Sequence, residues 1–420
     1  MNEEFSFMKE KIKEKPFYKR KWVKIVLVTI GLAVLFGVVS SLVFAKMQDV
    51  LEEKQQQEAL QEIEIPKDQP LEQGEAVQNP EDTQMEEPQE PIVVEAELTL
   101  AEYEKLMREM QLIAKEAVKS LVTVTAISND VDWFNEAYEN LGQATGMIIG
   151  DNGVELLILT RYELVENCDG MNITFVNGKS AAAVLKKYDR TTGLAVISVN
   201  LSDISADTNA AISKAKLGSS ITLKAGTPVM AVGRADGSVE SMMNGILTST
   251  HNTLSAVDAE YTVLVTDMTK NEGADGVLIN FKGEVVGILQ EKHLSAAMQN
   301  VLSAYGISDI KSLLEHLSNN QDVTYLGVKG ISVTAEAQKN GVPTGIYITE
   351  VVMDSPAMLG GIQTGDVIQS INGQKVTNMN ELANVLQRLS NKQNISLEGQ
   401  RLTKDGYKKI NYQTALSVLE

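Results

Sequence analysis

Apolar and polar positions alternate along this 420-residue chain in four distinct regimes. From Val23 to Phe44 runs VKIVLVTIGLAVLFGVVSSLVF, interrupted only by Lys24. About 20 apolar residues are what a helix needs to cross ~30 Å of hydrocarbon. The run is also longer than the ~7–15 residues of a signal-peptide core, and Ser41 to Ala45 offers no small-x-small cleavage site. Residues 23–45 therefore read as an uncleaved transmembrane helix. Lys9, Lys11, Lys13, Lys15, Lys19, Arg20 and Lys21 crowd one flank, with only Lys46 near the other. That asymmetry puts residues 1–22 in the cytoplasm and the rest outside, on a single pass through the plasma membrane.

The second regime, 46–97, has no apolar period. It holds five of the nine prolines (Pro66, Pro70, Pro80, Pro88, Pro91) and, from residue 47, 16 acidic residues against Lys54 and Lys67. Such a stretch buries too little apolar surface to offset chain entropy and reads as a disordered linker. A helical period follows. Thr99-Leu100-Ala101-Glu102 is a capping box ahead of Tyr103, Leu106, Met107, Met110, Ile113 and Val118. After it come short β-rich runs punctuated by Gly, Asn and Asp: LVTVTAI, GMIIG, ELLILT, NITFV, AAAVLKKY, LAVISV, SITLKA, PVMAVGR, GILTST, YTVLVTD, GVLIN and EVVGILQ. So many short strands over 121–290 predict a sandwich or a pair of barrels. Residues 325–420 mix strands with a helix over 378–389. The chain is thus mainly β, with an α+β C-terminal module.

Composition narrows the chemistry. A net charge of −19 argues against nucleic acid, which needs a basic footprint. The lone Cys168 excludes an internal disulfide and reads as a small apolar residue rather than a nucleophile. There is no phosphate loop, dinucleotide fingerprint or Cys/His metal spacing, so no cofactor and no metal is expected. Glu163, Glu166 and Asp169 read as a solvated turn, and His251 as part of an exposed loop.

Four segments, in order, carry a resemblance. Ala144-Thr145-Gly146-Met147-Ile148-Ile149 resembles a Gly-Ser-Gly-Val-Ile-Ile strand. Leu157 to Val165 is similar to a strand ending in Thr-Asn-x-His-Val-Val. Tyr188 to Val196 resembles Asp-x-x-Thr-Asp-Leu-Ala-Val. Gly273 to Asn280, followed by Gly283 to Ile288, looks like a nucleophile loop and the strand after it. These are the marks of the trypsin-like domain of the HtrA (Deg) serine proteases. The resemblance implies a trypsin-like double β-barrel with its leading helix over 98–318 and a PDZ domain over 322–420.

By that resemblance the imidazole position falls on Glu163, the carboxylate on Gly193 and the nucleophile on Ala274. A serine protease needs a hydroxyl, an imidazole to take its proton and a carboxylate to orient the imidazole. None of the three residues supplies its group. A shift of register does not repair this. The histidines are His251, His293 and His316, whereas the family's catalytic histidine precedes both partners. The oxyanion loop is altered too, because Glu272-Gly273-Ala274-Asp275-Gly276 carries two carboxylates.

Tyr325-Leu326-Gly327-Val328-Lys329-Gly330 is similar to the carboxylate-binding loop of a PDZ domain. Gly345 to Ile348, Asp354-Ser355-Pro356-Ala357, Gly361 to Ile368 and Ile371-Asn372-Gly373 resemble its core. A PDZ groove takes a peptide as an added strand and holds its terminal carboxylate on loop N–H groups. The resemblance thus names Tyr325, Leu326, Gly327 and Val328 as peptide-binding. Leu382 and Leu386 either set side-chain preference in the groove or fill the module's core.

Together these readings describe a membrane-anchored pseudoprotease. It binds peptide C-termini or unfolded proteins outside the cell, in quality control or as a scaffold. Two alternatives stand beside it: a divergent active serine endopeptidase, and an inactive adaptor subunit in oligomers with active HtrA proteases. The resemblance also implies a homo- or hetero-trimer.

Overall fold

The computed structural model describes residues 61–68, 99–127, 142–289 and 300–418. The expected transmembrane helix, the basic segment before it and most of the acidic stretch lie outside the described residues. Among the described residues no helix is long and apolar enough to cross a membrane.

Helix α1 (Leu100–Val118) begins at the expected capping box: the Glu102 amide donates to the Thr99 hydroxyl, and the Thr99 amide donates to the Glu102 carboxylate. Met110 and Ala114 face the body of the protein, while Tyr103 and Leu106 of the predicted apolar face lie exposed. Six strands then close a barrel: β1 (Leu121–Ile127), β2 (Gly142–Asp151), β3 (Glu155–Arg161), β4 (Gly170–Thr174), β5 (Ser180–Asp189) and β6 (Leu194–Asn200). Their order is β1-β2-β3-β6-β5-β4. A second barrel comprises β7 (Pro228–Arg234), β8 (Ser241–Ala256), β9 (Ala259–Thr269), β10 (Asp275–Ile279), β11 (Val285–Leu289) and β12 (Val301–Gly306). It repeats the same permutation, β7-β8-β9-β12-β11-β10. Two closed barrels leave no sheet edge open to aggregation.

The continuous apolar runs of the strands follow from having two cores to fill. In β3, Leu156 and Ile158 point into their own barrel with Val124, Ile148 and Ile197. The intervening Leu157 and Leu159 point into the seam between barrels, against Met230, Val232, Val277 and Ile279. The second barrel is filled by Val229, Leu247, Leu264, Leu278 and Val286. A strand buried on both faces needs no polar alternation.

Two strand expectations need correction. The run SITLKA at 220–225 forms turns, not a strand. Ser220 and Ser308 exchange hydrogen bonds there, Ser220 N to Ser308 Oγ (2.8 Å) and Ser308 N to Ser220 Oγ (3.1 Å), and these pin the loop outside any ladder. The sixth strand of the second barrel is instead β12, beyond the range over which strands are predicted. His251 lies within β8, although exposed, rather than in a loop.

Helix α2 (Tyr162–Val165) follows β3, and α3 (Ala206–Ala211) follows β6. Helix α4 (Ile307–Ser318) leaves β12 and buries Ile307, Ile310, Leu313, Leu314 and Leu317 in the seam core. It also corrects the expectation of disorder over 46–97 at one place. Asn319, at its end, clasps the backbone of Ile63: Ile63 N donates to its Oδ1 and its Nδ2 donates to Ile63 O, each at 2.9 Å. Ile65 is buried, and Asp68 pairs with the buried Lys311 at 2.7 Å. Two isoleucines against the seam core, the Asn319 clasp and the Asp68–Lys311 pair together dock residues 62–68.

The C-terminal module starts with β13 (Thr324–Tyr325), paired with the final strand β20 (Ser417–Val418). Its sheet runs β14 (Val328–Ser332), β15 (Ile346–Val351), β16 (Val367–Ile371), β18 (Asn394–Thr403) and β19 (Gly406–Ala415), with the short β17 (Gln374–Lys375) paired to β16. Helices α5 (Ala335–Lys339), α6 (Pro356–Leu359) and α7 (Met379–Leu386) complete it.

Candidate functional site

The protease-like positions meet at the seam. Residue Glu163 sits exposed on α2. The helix start is tied to the β5–β6 turn by Tyr162 N donating to Gly193 O at 2.8 Å. Gly193 has φ +71°. The turn is wound around Asp189, whose carboxylate accepts from Thr192 N (2.8 Å) and Thr192 Oγ1 (2.7 Å). At the third position Ala274 is buried, and its own N–H donates to Asn271 O at 3.2 Å. The amide that would face an oxyanion there is spent on a local turn.

The residue that organises this place is Asp275. It reads in the sequence as an anion flanking an oxyanion hole, but its side chain turns into the seam. It accepts from Thr145 Oγ1 (2.6 Å) and Thr145 N (3.0 Å) on β2 of the first barrel. Arg161 lies at 3.3 Å and Arg234 at 3.9 Å. Burial pushes the carboxyl up from its ordinary range, while Thr145 and the two arginines pull it back down. The cavity beside it, lined by Thr145, Arg161, Leu194 and Asp275, measures about 20 Å³, room for about one water. The only signal for this staple in the sequence is that Arg161, Arg234 and Asp275 are charges at the tips of otherwise apolar strands.

Elsewhere a hydroxyl meets an imidazole on the second barrel, where Thr250 Oγ1 lies 3.4 Å from His251 Nδ1 on the exposed stretch of β8. Burial pushes the Cys168 thiol up, away from thiolate, and its Sγ donates to Val165 O. His316 is engaged at both nitrogens, with Ser312 O and with Gln387 O on the C-terminal module. Glu166 lies 3.7 Å from Arg190, which sits over the stacked rings of Tyr162 and Tyr188. Among the described residues no group of three His, Cys, Asp or Glu is arranged to hold a metal.

In the C-terminal module, Leu326 and Gly327 form a tight loop between β13 and β14, and Val328 opens β14. Gly327 has φ +92°, and an added Cβ would lie 2.2 Å from that of Ser355, so only glycine fits. The three amides converge on one carboxylate, that of Asp258 at the β8–β9 turn. Leu326 N donates to Oδ2 at 2.7 Å, Gly327 N to Oδ2 at 2.8 Å and Val328 N to Oδ1 at 2.9 Å. Asp258 N donates in return to Val328 O at 2.7 Å. The loop expected to take a peptide carboxylate is therefore built, and its occupant comes from the same chain. Tyr325, beside it, lines the space around Asp258. Leu382 and Leu386 are fully buried among Leu326, Val328, Ile346 and Met379. Of the two roles the sequence leaves open, they fill the core.

Comparison with known proteins agrees with this architecture. Residues 144–288 match the trypsin-like peptidase domain and residues 323–399 the PDZ domain. Twin barrels of this type followed by a PDZ module define the HtrA class, and the chain belongs to the HtrA family. Among curated relatives it is 27% identical to the serine protease Do-like HtrA of Lactobacillus helveticus over 60% of this chain and 64% of that one. It is 29% identical to the serine protease Do-like HtrB of Bacillus subtilis over 58% and 56%. It is 30% identical to a probable periplasmic serine endoprotease DegP-like of Pseudomonas savastanoi over 62% and 53%. The chain thus spans less than two thirds of these relatives' own length. The solved HtrA-type protease AlgW with tripeptide superposes with a TM-score of 0.55 at 21% identity, over 74% of this chain and 97% of that one. A serine endoprotease from Yersinia pestis gives 0.50 at 21%, over 74% and 98%. At that identity the likeness is one of fold.

Proposed function

We propose that this chain is a membrane-anchored pseudoprotease of the HtrA family that binds peptide C-termini or the ends of unfolded chains outside the cell. One observation carries the reading. At the nucleophile position stands Ala274, with its amide turned inward and its neighbour Asp275 committed to the inter-barrel staple. The amide cradle of the PDZ module, built to hold a carboxylate, supports the binding half. The apolar run 23–45 with its basic flank supports the anchor, an extracytoplasmic ectodomain and a single pass.

The names of the curated relatives favour a second reading, an active endopeptidase. A fluorophosphonate, which phosphonylates activated serines with loss of fluoride, separates the two. The full chain should show no mass adduct, whereas a Glu163→His, Gly193→Asp, Ala274→Ser triple variant offers it a serine to label. An adduct on the native chain would overturn the proposal and point to an unrecognised serine.

A further inference from the structure

The tip of the longest hairpin among the described residues, β8–β9, ends in the two-residue turn Val257-Asp258, with Ala256 opposite Ala259. Asp258 adopts φ +59°, a left-handed conformation that Asp accepts more readily than most residues. This conformation turns the carboxylate out of the hairpin and into the PDZ loop. Both carboxylate oxygens accept backbone amides, and the Asp258 N–H completes a two-way exchange with Val328. A peptide's last residue would present the same set to such a loop: two carboxylate oxygens and one N–H.

Contacts outside the cradle hold the hairpin in register with it. Asn380 Nδ2 on α7 donates to Asp309 Oδ1 on α4 (3.3 Å), and Asp309 Oδ2 accepts from Thr262 N on β9 (2.6 Å). His316 reaches Gln387 O just after α7. The Asp258 carboxylate is almost wholly withdrawn from solvent, at 8% exposure for the residue. A buried anion is tolerated where fixed donors surround it, and here every fixed donor is an amide of the PDZ loop.

Resting on the reading of this module as a peptide binder, we propose that Asp258 is an internal ligand of the PDZ loop. It occupies the loop as a substitute C-terminus, and a peptide carboxylate enters only by displacing it. The chain is then a competition switch: the β8–β9 hairpin and an incoming free C-terminus are alternative occupants of the Leu326–Gly327–Val328 amides. An amidated peptide end lacks the competing group. A peptide that does bind also releases the hairpin, so occupancy of the PDZ module is signalled to the second barrel.

Competition lowers apparent affinity by the fraction of molecules that are open; with about one in ten open, removing the competitor strengthens binding about tenfold. Asp258→Gly removes the carboxylate while suiting φ +59°, and Asp258→Asn keeps the size of the side chain as a check on folding. The probes are pooled decapeptides ending in Val, Leu, Ile, Phe or Ala, with free or amidated termini. Binding to the detergent-solubilised full chain is followed by fluorescence anisotropy. Hydrogen exchange is followed at the Leu326, Gly327 and Val328 amides.

The expected result has two parts. In the glycine variant those amides exchange at least about tenfold faster, and free-acid peptides bind about tenfold tighter than to the native chain and restore protection. Equal affinity of native and variant chains for the free-acid pool would overturn the switch and leave the peptide-binding reading standing. Fast exchange in the variant that no free-acid peptide restores would overturn both.

Discussion

Asp275 is a single carboxylate whose partners belong to both barrels: Thr145 and Arg161 from the first, Arg234 from the second. Removing one member of a buried charged network leaves the others desolvated without compensation, typically at about 3–5 kcal/mol. Asp275→Ala is therefore expected to destabilise the chain by about 3 kcal/mol in denaturant titrations, the low end because Arg161 keeps some access to water. A change below about 0.5 kcal/mol would show that the staple contributes little. Asp258 sets the sign of a pH dependence. Burial pushes its carboxyl from an ordinary 3.8 up to about 6, against the pull of the three amides. The closed cradle thus binds more protons than the open one between these values. The clasp is at full strength below about pH 4 and weakens as pH rises through about 6. The titratable groups lining the same space are Asp189, Tyr261 and Tyr325, and burial holds both tyrosines above their ordinary range. After correction for intrinsic exchange, protection of the Leu326–Val328 amides should fall between about pH 4 and 7 in the native chain. It should be flat in Asp258→Asn. Rising protection over that window would contradict the assignment.

At the scale of elements, residues 62–68 act as a strap because a short apolar pair meets a side chain able to bind backbone at both ends. Asn319 provides one donor and one acceptor, and Asn319→Ala removes both, leaving the Ile63 amide and carbonyl without those partners. The expected cost is about 1–3 kcal/mol, with proteolytic nicking near Ile65 in the variant but not in the native chain. Equal protection of both chains would show that the strap is held by Ile65 and Asp68 instead. Much of this level is legible in the sequence. The Thr99–Glu102 box announces α1, and apolar runs bounded by Gly and Asn announce most of the strands. What was hidden has a physical reason. SITLKA has a strand's composition, but Ser308, 88 residues on, claims its first residue. Ile63 and Ile65 lie in a tract whose charge and proline content mask two short apolar contacts. Leu382 and Leu386 are four apart on a helix, a spacing that one face of any helix satisfies, whether it lines a groove or a core.

At the scale of the whole molecule, the chain has the fold of a trypsin-like peptidase with Ala274, Glu163 and Gly193 at the positions that the resemblance gives to the triad. The apolar runs gave a sandwich or a pair of barrels, and the resemblance to the HtrA proteases named the twin barrels and the PDZ module after them. The seam core shared by the barrels was not foreseen. The absence of hydroxyl, imidazole and carboxylate at Ala274, Glu163 and Gly193 was readable because it is a matter of residue type. Neither junction was readable. Thr145 meets Asp275 across 130 residues, and Asp258 meets Gly327 across 69, in each case a lone carboxylate among many acidic residues. The geometry also bears on any attempt to rebuild the triad. An aspartate at position 193 must adopt φ +71°. Its tolerance of the left-handed region makes it the least costly choice after glycine and asparagine. An alanine at 274 returned to serine still has its amide bonded to Asn271. The rebuilt triad is accordingly expected to be a weak enzyme, labelling with a fluorophosphonate more readily than it cleaves protein.

The most direct test of the central claim is cleavage of unfolded casein by the full chain, purified from a protease-deficient host and assayed across a dilution series. The account predicts no fragments above those of a mock purification, at any pH between about 5 and 9. Fragments that scale with the concentration of this protein and persist after further purification would contradict it, and would mean that a nucleophile outside Ala274 carries the reaction.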